Sequence, residues 1–275
     1  MFDRGKLLLA AIIYMVHSQV AGVGVKPLSM TLNVVDDLYG ACHEEAMKKF
    51  IPDLLEQELN SSKGFQKVWR SNSQCPLIPG GTKDHTTALS VLHFGDPEFL
   101  KELNQAVETM GANLSTYKDN FHFKSLHFLL TDSMRLLNPN KTCRTVFAFL
   151  EEEEDKPLVG TRVRFSGFTV VHSDFDSLGD VDGETILRIK SCFYVNLDDH
   201  ICEKNILKTL ISPAEVFTVE DSHKLNQGEY TEVILTHQGL NSTHDCYMFP
   251  RSAAVSSTRS VAPLLVASLL CGWSI

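Results

Sequence analysis

The spacing of the apolar residues changes once along this chain, near residue 140, and that change restricts the fold more than any other feature. Before it, apolar residues recur at helical spacing, as a stripe from Cys42 to Leu59 and on most sides of the segment from Asn120 to Leu137. Asp96-Pro97-Glu98 is typical of a helix start. The first part of the chain, at about 34–140, is therefore predicted to be helical.

The second part, at about 141–250, is predicted to consist of strands. Its segments are rich in β-branched and aromatic residues, alternate between apolar and polar positions, and are separated by short polar breaks. They read CRTVFAFL, TRVRFSGFTVV, ETILRIKSCFYVN, TLISPAEVFTV and YTEVILTH. Helices followed by strands indicate an α+β domain rather than alternating βαβ units.

Both ends of the chain carry patterns typical of segments that the secretory pathway removes. Residues 1–22 contain a short basic start, an apolar run and then small residues, as in a signal peptide. Residues 253–275 combine a short polar spacer with an uncharged apolar tail, as in a GPI-attachment signal. Neither apolar run reaches the roughly 20 residues that cross a bilayer. We expect a domain at 23–252 on the extracellular face of the plasma membrane, with plain secretion as the alternative.

The net charge and the cysteine content further restrict which kinds of protein this chain can be. A net charge of -9 argues against a nucleic-acid partner, which requires a basic surface. The chain has seven cysteines, and those outside the apolar tail are expected to form disulfides in a secreted protein. Histidine and cysteine show no zinc-site spacing, so no metal is expected. Sequons predict surface glycosylation at Asn60, Asn113, Asn140 and Asn241.

Several segments together resemble the vertebrate ecto-ADP-ribosyltransferases. VVDDLYGAC resembles the mature N-terminus of that family, NFHFKSLHFLLTDSMRLL its central helix, and NSTHDC its closing strand, with the strand segments between them in the family's order. The resemblance implies a mostly antiparallel two-sheet β core behind the helical part. It also implies disulfides Cys42–Cys246 and Cys143–Cys192, and leaves Cys75 and Cys202 without an assigned partner.

The resemblance implies a chemistry as well. These enzymes transfer ADP-ribose from NAD to an acceptor such as an arginine side chain, through a ribose that becomes cation-like as nicotinamide leaves. In the family an arginine binds the NAD phosphates and a serine positions the ribose. The first glutamate of an E-x-E pair activates the acceptor, and the second stabilises the developing positive charge. A fixed negative charge beside the forming cation is expected to make the largest contribution to catalysis.

This chain departs from the family at each of those positions. Ala148 stands where the family has the NAD-binding arginine, and Val170 stands where it has the serine. When LISPAEVFTV is aligned on the family strand, Ile206 and Lys208 take the two glutamate positions and Glu215 becomes an ordinary downstream acid. This pattern most resembles the motif-deficient ecto-ADP-ribosyltransferase 3 subgroup.

Two functions follow from that alignment. The first is a cell-surface pseudoenzyme that binds cell-surface or extracellular proteins, transfers little or no ADP-ribose and has a doubtful affinity for NAD. The alternative is an active, atypical NAD-dependent mono-ADP-ribosyltransferase or NAD glycohydrolase that uses Glu215 or Glu203 in place of the missing glutamate. Which of these side chains faces the ligand cleft distinguishes the two.

Overall fold

The computed structural model describes residues 24–25, 28–71, 75–151, 156–201, 207–225 and 229–249. The predicted signal peptide at 1–22 and the predicted GPI signal at 253–275 lie outside these residues. Within the described part of the chain, the structure contains no helix whose length and apolarity would allow it to cross a membrane.

The helical part follows the predicted order. A π-helical turn joins its first two α-helices into one continuous helix. The segments are α1 (His43–Lys49), the π turn (Phe50–Leu54), α2 (Leu55–Ser61), α3 (Lys63–Ser71), α4 (Lys83–Phe94), α5 (Pro97–Thr109), α6 (Leu114–Asn120) and α7 (Lys124–Leu137).

The π turn explains how the predicted stripe from Cys42 to Leu59 accommodates a proline. Pro52 has no backbone N–H to donate, so the regular hydrogen-bond ladder is interrupted there. The N–H of Leu55 instead reaches the carbonyl of Phe50, the wider spacing of a π turn. The apolar stripe therefore continues through the interruption, with Phe50 and Leu55 both buried.

Helix α7 is central, as predicted, but it begins at Lys124 rather than at Asn120. A buried carboxylate on α2 defines its start: Glu58 accepts hydrogen bonds from the backbone N–H groups of Lys124 and Ser125, at 2.8 and 3.0 Å, and from the Ser125 hydroxyl. These donors have no partner within the helix, and a negative charge is favoured at a helix N-terminus.

The strands form one hydrogen-bonded sheet in the order β3-β8-β9-β5-β2-β4-β7-β6, with β1 added beside β2. All pairs are antiparallel except β1 with β2 and β5 with β9. The strands are β1 (Gly24–Val25), β2 (Arg144–Leu150), β3 (Arg162–Val163), β4 (Thr169–His172), β5 (Thr185–Ser191), β6 (Tyr194–Asn196), β7 (Lys208–Ile211), β8 (Glu215–Leu225) and β9 (Tyr230–Leu240). The mostly antiparallel α+β fold is confirmed, and β1 is a strand that the sequence did not predict.

A short connection shows that this sheet must curl. The link from Ile211 to Glu215 spans four residue steps, at most about 14 Å. It joins β7 to β8, which are five strand spacings apart in the sheet order and would be about 24 Å apart if the sheet were flat. The two layers expected from the resemblance are therefore two halves of one continuous sheet that face each other, because the curl brings them together.

Both predicted disulfides are present. Cys42 is bonded to Cys246 across a sequence separation of 204, and Cys143 is bonded to Cys192 across a separation of 49. Cys75 is also disulfide-bonded, and its partner lies outside the described residues, as does Cys202.

A buried polar clasp joins the two ends of the domain beside the first disulfide. Asp36 is ion-paired with Arg164 at 2.9 Å and hydrogen-bonded to the His244 ring at 2.8 Å. Asp37 accepts the backbone N–H groups of Tyr39 and Cys246. The clasp explains why the segments resembling the family's first and last elements lie together: the early aspartates supply acceptors for the late backbone.

Candidate functional site

A cleft of about 560 Å³ lies between the helical part and the sheet at β4 and β7. Its volume is in the range of sites that hold a small organic ligand. Most of its wall is apolar, and the remainder is polar or charged. The lining residues are Val25, Leu28, Leu92, His93, Pro97, Leu100, Lys101, Asn104, Glu151, Phe165, Ser166, Gly167, Phe168, Thr169, Val170 and Lys208.

The pairing of β4 with β7 brings two of the substituted family positions to this cleft. Val170 is opposite Leu210, and His172 is opposite Lys208. Because successive strand residues point to opposite faces, Val170, His172 and Lys208 share one face of the pair. The sequence alignment that predicts Lys208 at the glutamate position thus agrees with its location in the cleft.

Lys208 begins a directional chain of hydrogen bonds. Its Nζ lies 2.8 Å from Nε2 of His172, and Nδ1 of the same ring lies 3.0 Å from the Ser177 hydroxyl. Ser177 in turn donates to the carbonyl oxygen of Asp174 at 2.8 Å. With the ammonium as first donor, each group in the chain donates to the next, so His172 is neutral and its Nδ1 carries the proton.

The electrostatics of this pair agree with that protonation pattern. Burial lowers the pKa of His172, and the nearby charge of Lys208 lowers it further. Burial also lowers the pKa of Lys208 from its ordinary value. Removal from water disfavours a cation, and two cations side by side are disfavoured more, so the imidazole is the group that stays uncharged.

Backbone strain accompanies the placement of Lys208. Leu207, the preceding residue, has a φ of 50°, in the left-handed region that costs an L-residue about 1–2 kcal/mol. Two hydrogen bonds hold it there: its N–H donates to Asp198 at 2.7 Å, and its carbonyl accepts from Ser173 N–H at 2.7 Å. The chain turns sharply into β7 at this point, and Lys208 follows as the first residue of the strand.

Glu215 occupies a different environment and does not line the cleft. Its carboxylate is fully buried and accepts hydrogen bonds from the Ser191 hydroxyl at 2.6 Å and from the backbone N–H groups of Cys192 and Phe193. The His237 ring lies 2.6 Å from the same carboxylate. With both oxygens occupied by protein donors, Glu215 holds β8 against the end of β5 and has no access to a ligand in the cleft.

Ala148 does not line the cleft itself. Phe147 is opposite His172 in the sheet, so the next residue, Ala148, points to the other face. It is 1% exposed and belongs to a buried apolar cluster with Val25 and Leu28. An arginine at this position would start inside this apolar cluster.

Two further predicted site residues, Glu203 and Ile206, lie outside the described residues. Of the predicted glycosylation sites, Asn60, Asn113 and Asn140 are exposed and Asn241 is half-buried. Glycosylation at these positions stays a prediction.

Two groups of side chains in the described part of the chain have ligand atoms close enough to share a metal ion. One contains Cys192 with Glu215 and His237, and the other contains Cys246 with Asp37 and Asp245. Both cysteines are in disulfides, so neither offers a thiolate, the form that binds metals. Each group is left with two ligands, fewer than the four of a structural zinc site.

The sequence reasoning missed His172 as part of the site, although a signal was available. It lies two residues after Val170 on a predicted strand, and a period of two places both side chains on one face. Lys101 and Asn104, on α5, were also missed. Their side chains line the cleft because α5 lies beside the segment around Gly167, and no local pattern indicates which helix does so.

The fold and the cleft together define an α+β protein in which a ligand-sized cleft lies between a helical part and a curled sheet. The sequence model of the NAD:arginine ADP-ribosyltransferase family matches residues 28–243, and the chain belongs to that family.

Curated relatives agree with this assignment. The GPI-linked NAD(P)(+)--arginine ADP-ribosyltransferase 1 of Mus musculus is 27% identical over 238 residues, covering 80% of this chain and 72% of the relative. Ecto-ADP-ribosyltransferase 5 of Bos taurus is 29% identical, covering 74% and 68%. Ecto-ADP-ribosyltransferase 3 of Homo sapiens is 26% identical, covering 90% and 64%.

Solved structures show the same fold. A variant of the eukaryotic mono-ADP-ribosyltransferase ART2.2 in complex with NADH has a TM-score of 0.61 at 23% identity, covering 81% of this chain and 98% of that one. Another ART2.2 variant, in complex with NAD, has a TM-score of 0.61 at 24% identity with the same coverage.

Proposed function

We propose that this protein is a cell-surface member of the ADP-ribosyltransferase family that acts by binding and transfers little or no ADP-ribose. The observation that carries the proposal is the position of Lys208, an ammonium on the cleft wall where the resemblance implies a catalytic carboxylate. The motif-deficient ecto-ADP-ribosyltransferase 3 subgroup is the part of the family that we propose it joins.

The positive charge of Lys208 opposes a reaction in which the ribose becomes cation-like. A unit charge 4 Å from a cation-like ribose contributes about 4 kcal/mol at an effective dielectric constant of 20. Loss of the carboxylate alone therefore costs about three orders of magnitude in rate. An ammonium at the same place adds repulsion of similar size, because its partner His172 is neutral and does not cancel the charge.

The other substitutions act in the same direction. Val170 lines the cleft and has no group that can donate or accept a hydrogen bond, whereas the family's serine can do both. Ala148 is buried in an apolar cluster and offers nothing to a phosphate. Such losses are not additive, so the total stays below the sum of the separate costs.

Glu215 does not support the alternative of an active, atypical enzyme. Its carboxylate is saturated by Ser191, Cys192, Phe193 and His237. Residual activity would therefore have to depend on Glu203 or on another group.

The location and partners belong to the same proposal. Relatives are named GPI-linked or ecto enzymes, and the two chain ends have the pattern of a signal peptide and a GPI-attachment signal. We place the protein on the outer face of the plasma membrane, held by a GPI anchor, with cell-surface or extracellular proteins as partners.

A transfer assay tests the proposal. The protein purified from expressing cells is incubated with labelled NAD and agmatine as an arginine-like acceptor, beside an active arginine-specific relative. We expect no label on agmatine and no nicotinamide release above background. Label transfer that persists in Lys208→Ala would contradict the proposal, and loss of such transfer in Glu203→Gln would instead support the atypical enzyme.

A further inference from the structure

Lys208 has no anionic partner among the residues that the structure describes. Its Nζ contacts His172, which is neutral, and burial is the one influence that moves its pKa. A half-buried ammonium without a counter-charge is costly, since charges removed from water are normally paired. This unfavourable charge lies at the wall of the cleft described above.

The rest of the cleft does not neutralise the charge. Lys101 adds a second cation from α5, and Glu151 is an exposed carboxylate at the end of β2. Phe165, Phe168 and Val170 line the same cleft with apolar side chains, and Val170 is two residues before His172, the residue opposite Lys208. A ligand that combines negative charge with a flat or apolar body would satisfy both features.

We propose that the cleft binds anionic adenine nucleotides that lack a cationic ring, ADP-ribose and NADH, in preference to NAD. This inference rests on the proposed function, because the family assignment supplies the nucleotide class. The charge of Lys208 then determines which member of that class is favoured.

NAD and NADH form a matched pair for this question. They have the same diphosphate, riboses and adenine, and they differ in the nicotinamide ring, which is a cation in NAD and neutral in NADH. An unpaired ammonium in the cleft attracts the diphosphate of both ligands but repels the ring of NAD alone. ADP-ribose lacks the nicotinamide ring altogether and is expected to behave as NADH does.

The test is titration calorimetry of the full protein with ADP-ribose, NADH and NAD, without an acceptor. We expect NADH and ADP-ribose to bind at least tenfold more tightly than NAD. Lys208→Met should bring the NADH and NAD affinities within about threefold of each other, and Lys208→Glu should reverse their order. Lys208→Arg keeps the charge and should keep the preference.

A matched control is Lys190→Met, which removes an exposed lysine from β5 outside the cleft and should leave all three affinities unchanged. Equal affinities of wild-type protein for NADH and NAD would overturn the inference, as would a well-folded protein that binds none of the three. Label transfer is not measured here, so this inference can fail while the proposed lack of transferase activity holds, and the reverse.

Discussion

Glu215 and Lys208 are charged residues at the starts of consecutive strands, yet their surroundings are opposite. Glu215 is fully buried with donors on both carboxylate oxygens, two of them backbone N–H groups. Lys208 is half-buried at a cleft, and one neutral ring is its side-chain partner among the described residues.

The difference separates charges that maintain the fold from a charge that is available to a ligand. Where a buried charge is saturated by the protein, removing it leaves unpaired partners and destabilises the fold. Where a buried charge has no counter-charge, it lowers the stability of the fold, and a ligand of opposite charge can offset that loss. Stability and binding measurements on the two sites should therefore give opposite results.

The largest expected effect is at the saturated site. Glu215→Ala leaves the Ser191 hydroxyl, two backbone N–H groups and the His237 ring without their acceptor, so we expect a loss of about 3–5 kcal/mol in the free energy of unfolding. Denaturant unfolding measures this loss. Glu220→Ala, at an exposed position on the same strand, is the matched control and should change stability by about 0.5 kcal/mol or less.

A small effect of Glu215→Ala, similar to that of the control, would contradict the structural role of this carboxylate. It would also reopen the possibility that Glu215 can turn toward a ligand.

Much of this contrast could be predicted from sequence, and the rest depends on long-range packing. The alignment of LISPAEVFTV assigned different roles to Lys208 and Glu215, and in the structure the first lines the cleft while the second is buried. The sequence did not predict that Ala148 would share an apolar cluster with Val25 of β1, because a two-residue strand has no periodicity to detect. It also did not predict the partners of Glu215, which come from the end of β5 and from β9.

The buried polar clasp extends the comparison to two neighbouring aspartates, Asp36 and Asp37, whose pKa values move in opposite directions. Burial opposes ionisation of Asp36, but His244, Thr243 and Arg164 together lower its pKa to about 2. Asp37 has no such cation: burial, with Asp245 adding to it, raises its pKa to about 7 despite its backbone donors.

The sign of the pH dependence follows from these shifts. Asp37, whose pKa rises from an ordinary 3.8 to about 7 on folding, stabilises the fold at low pH, and this contribution is lost as the pH rises through that interval. We expect thermal stability to fall between about pH 4 and 7, by at most about 1.4 kcal/mol per pH unit from this group. Asp37→Asn should reduce this fall in stability between about pH 4 and 7.

Asp36 gives the opposite result and serves as the control. Its contribution is present above the ordinary aspartate pKa of 3.8 and is lost as the pH falls toward about 2. Asp36→Asn should therefore destabilise the protein at neutral pH while leaving the decline between pH 4 and 7 in place. If Asp37→Asn left that decline unchanged, the proton uptake would have to be assigned elsewhere, and Glu58, whose pKa is also raised to about 7, is the next group to replace.

The smallest change in stability is expected at Lys208, and it is expected to be a gain. Lys208→Met keeps the length of the side chain against the cleft wall and removes a half-buried charge that has no anionic partner in the described structure. We expect a gain of about 0.5–1 kcal/mol in the free energy of unfolding, as is common when a residue kept for function is replaced by one that suits the fold. Lys190→Met, at an exposed position, should be close to neutral. A loss of stability in Lys208→Met would mean that the hydrogen-bonded chain through His172 and Ser177 supports the fold, and Lys208 would then belong with Glu215 rather than opposite to it.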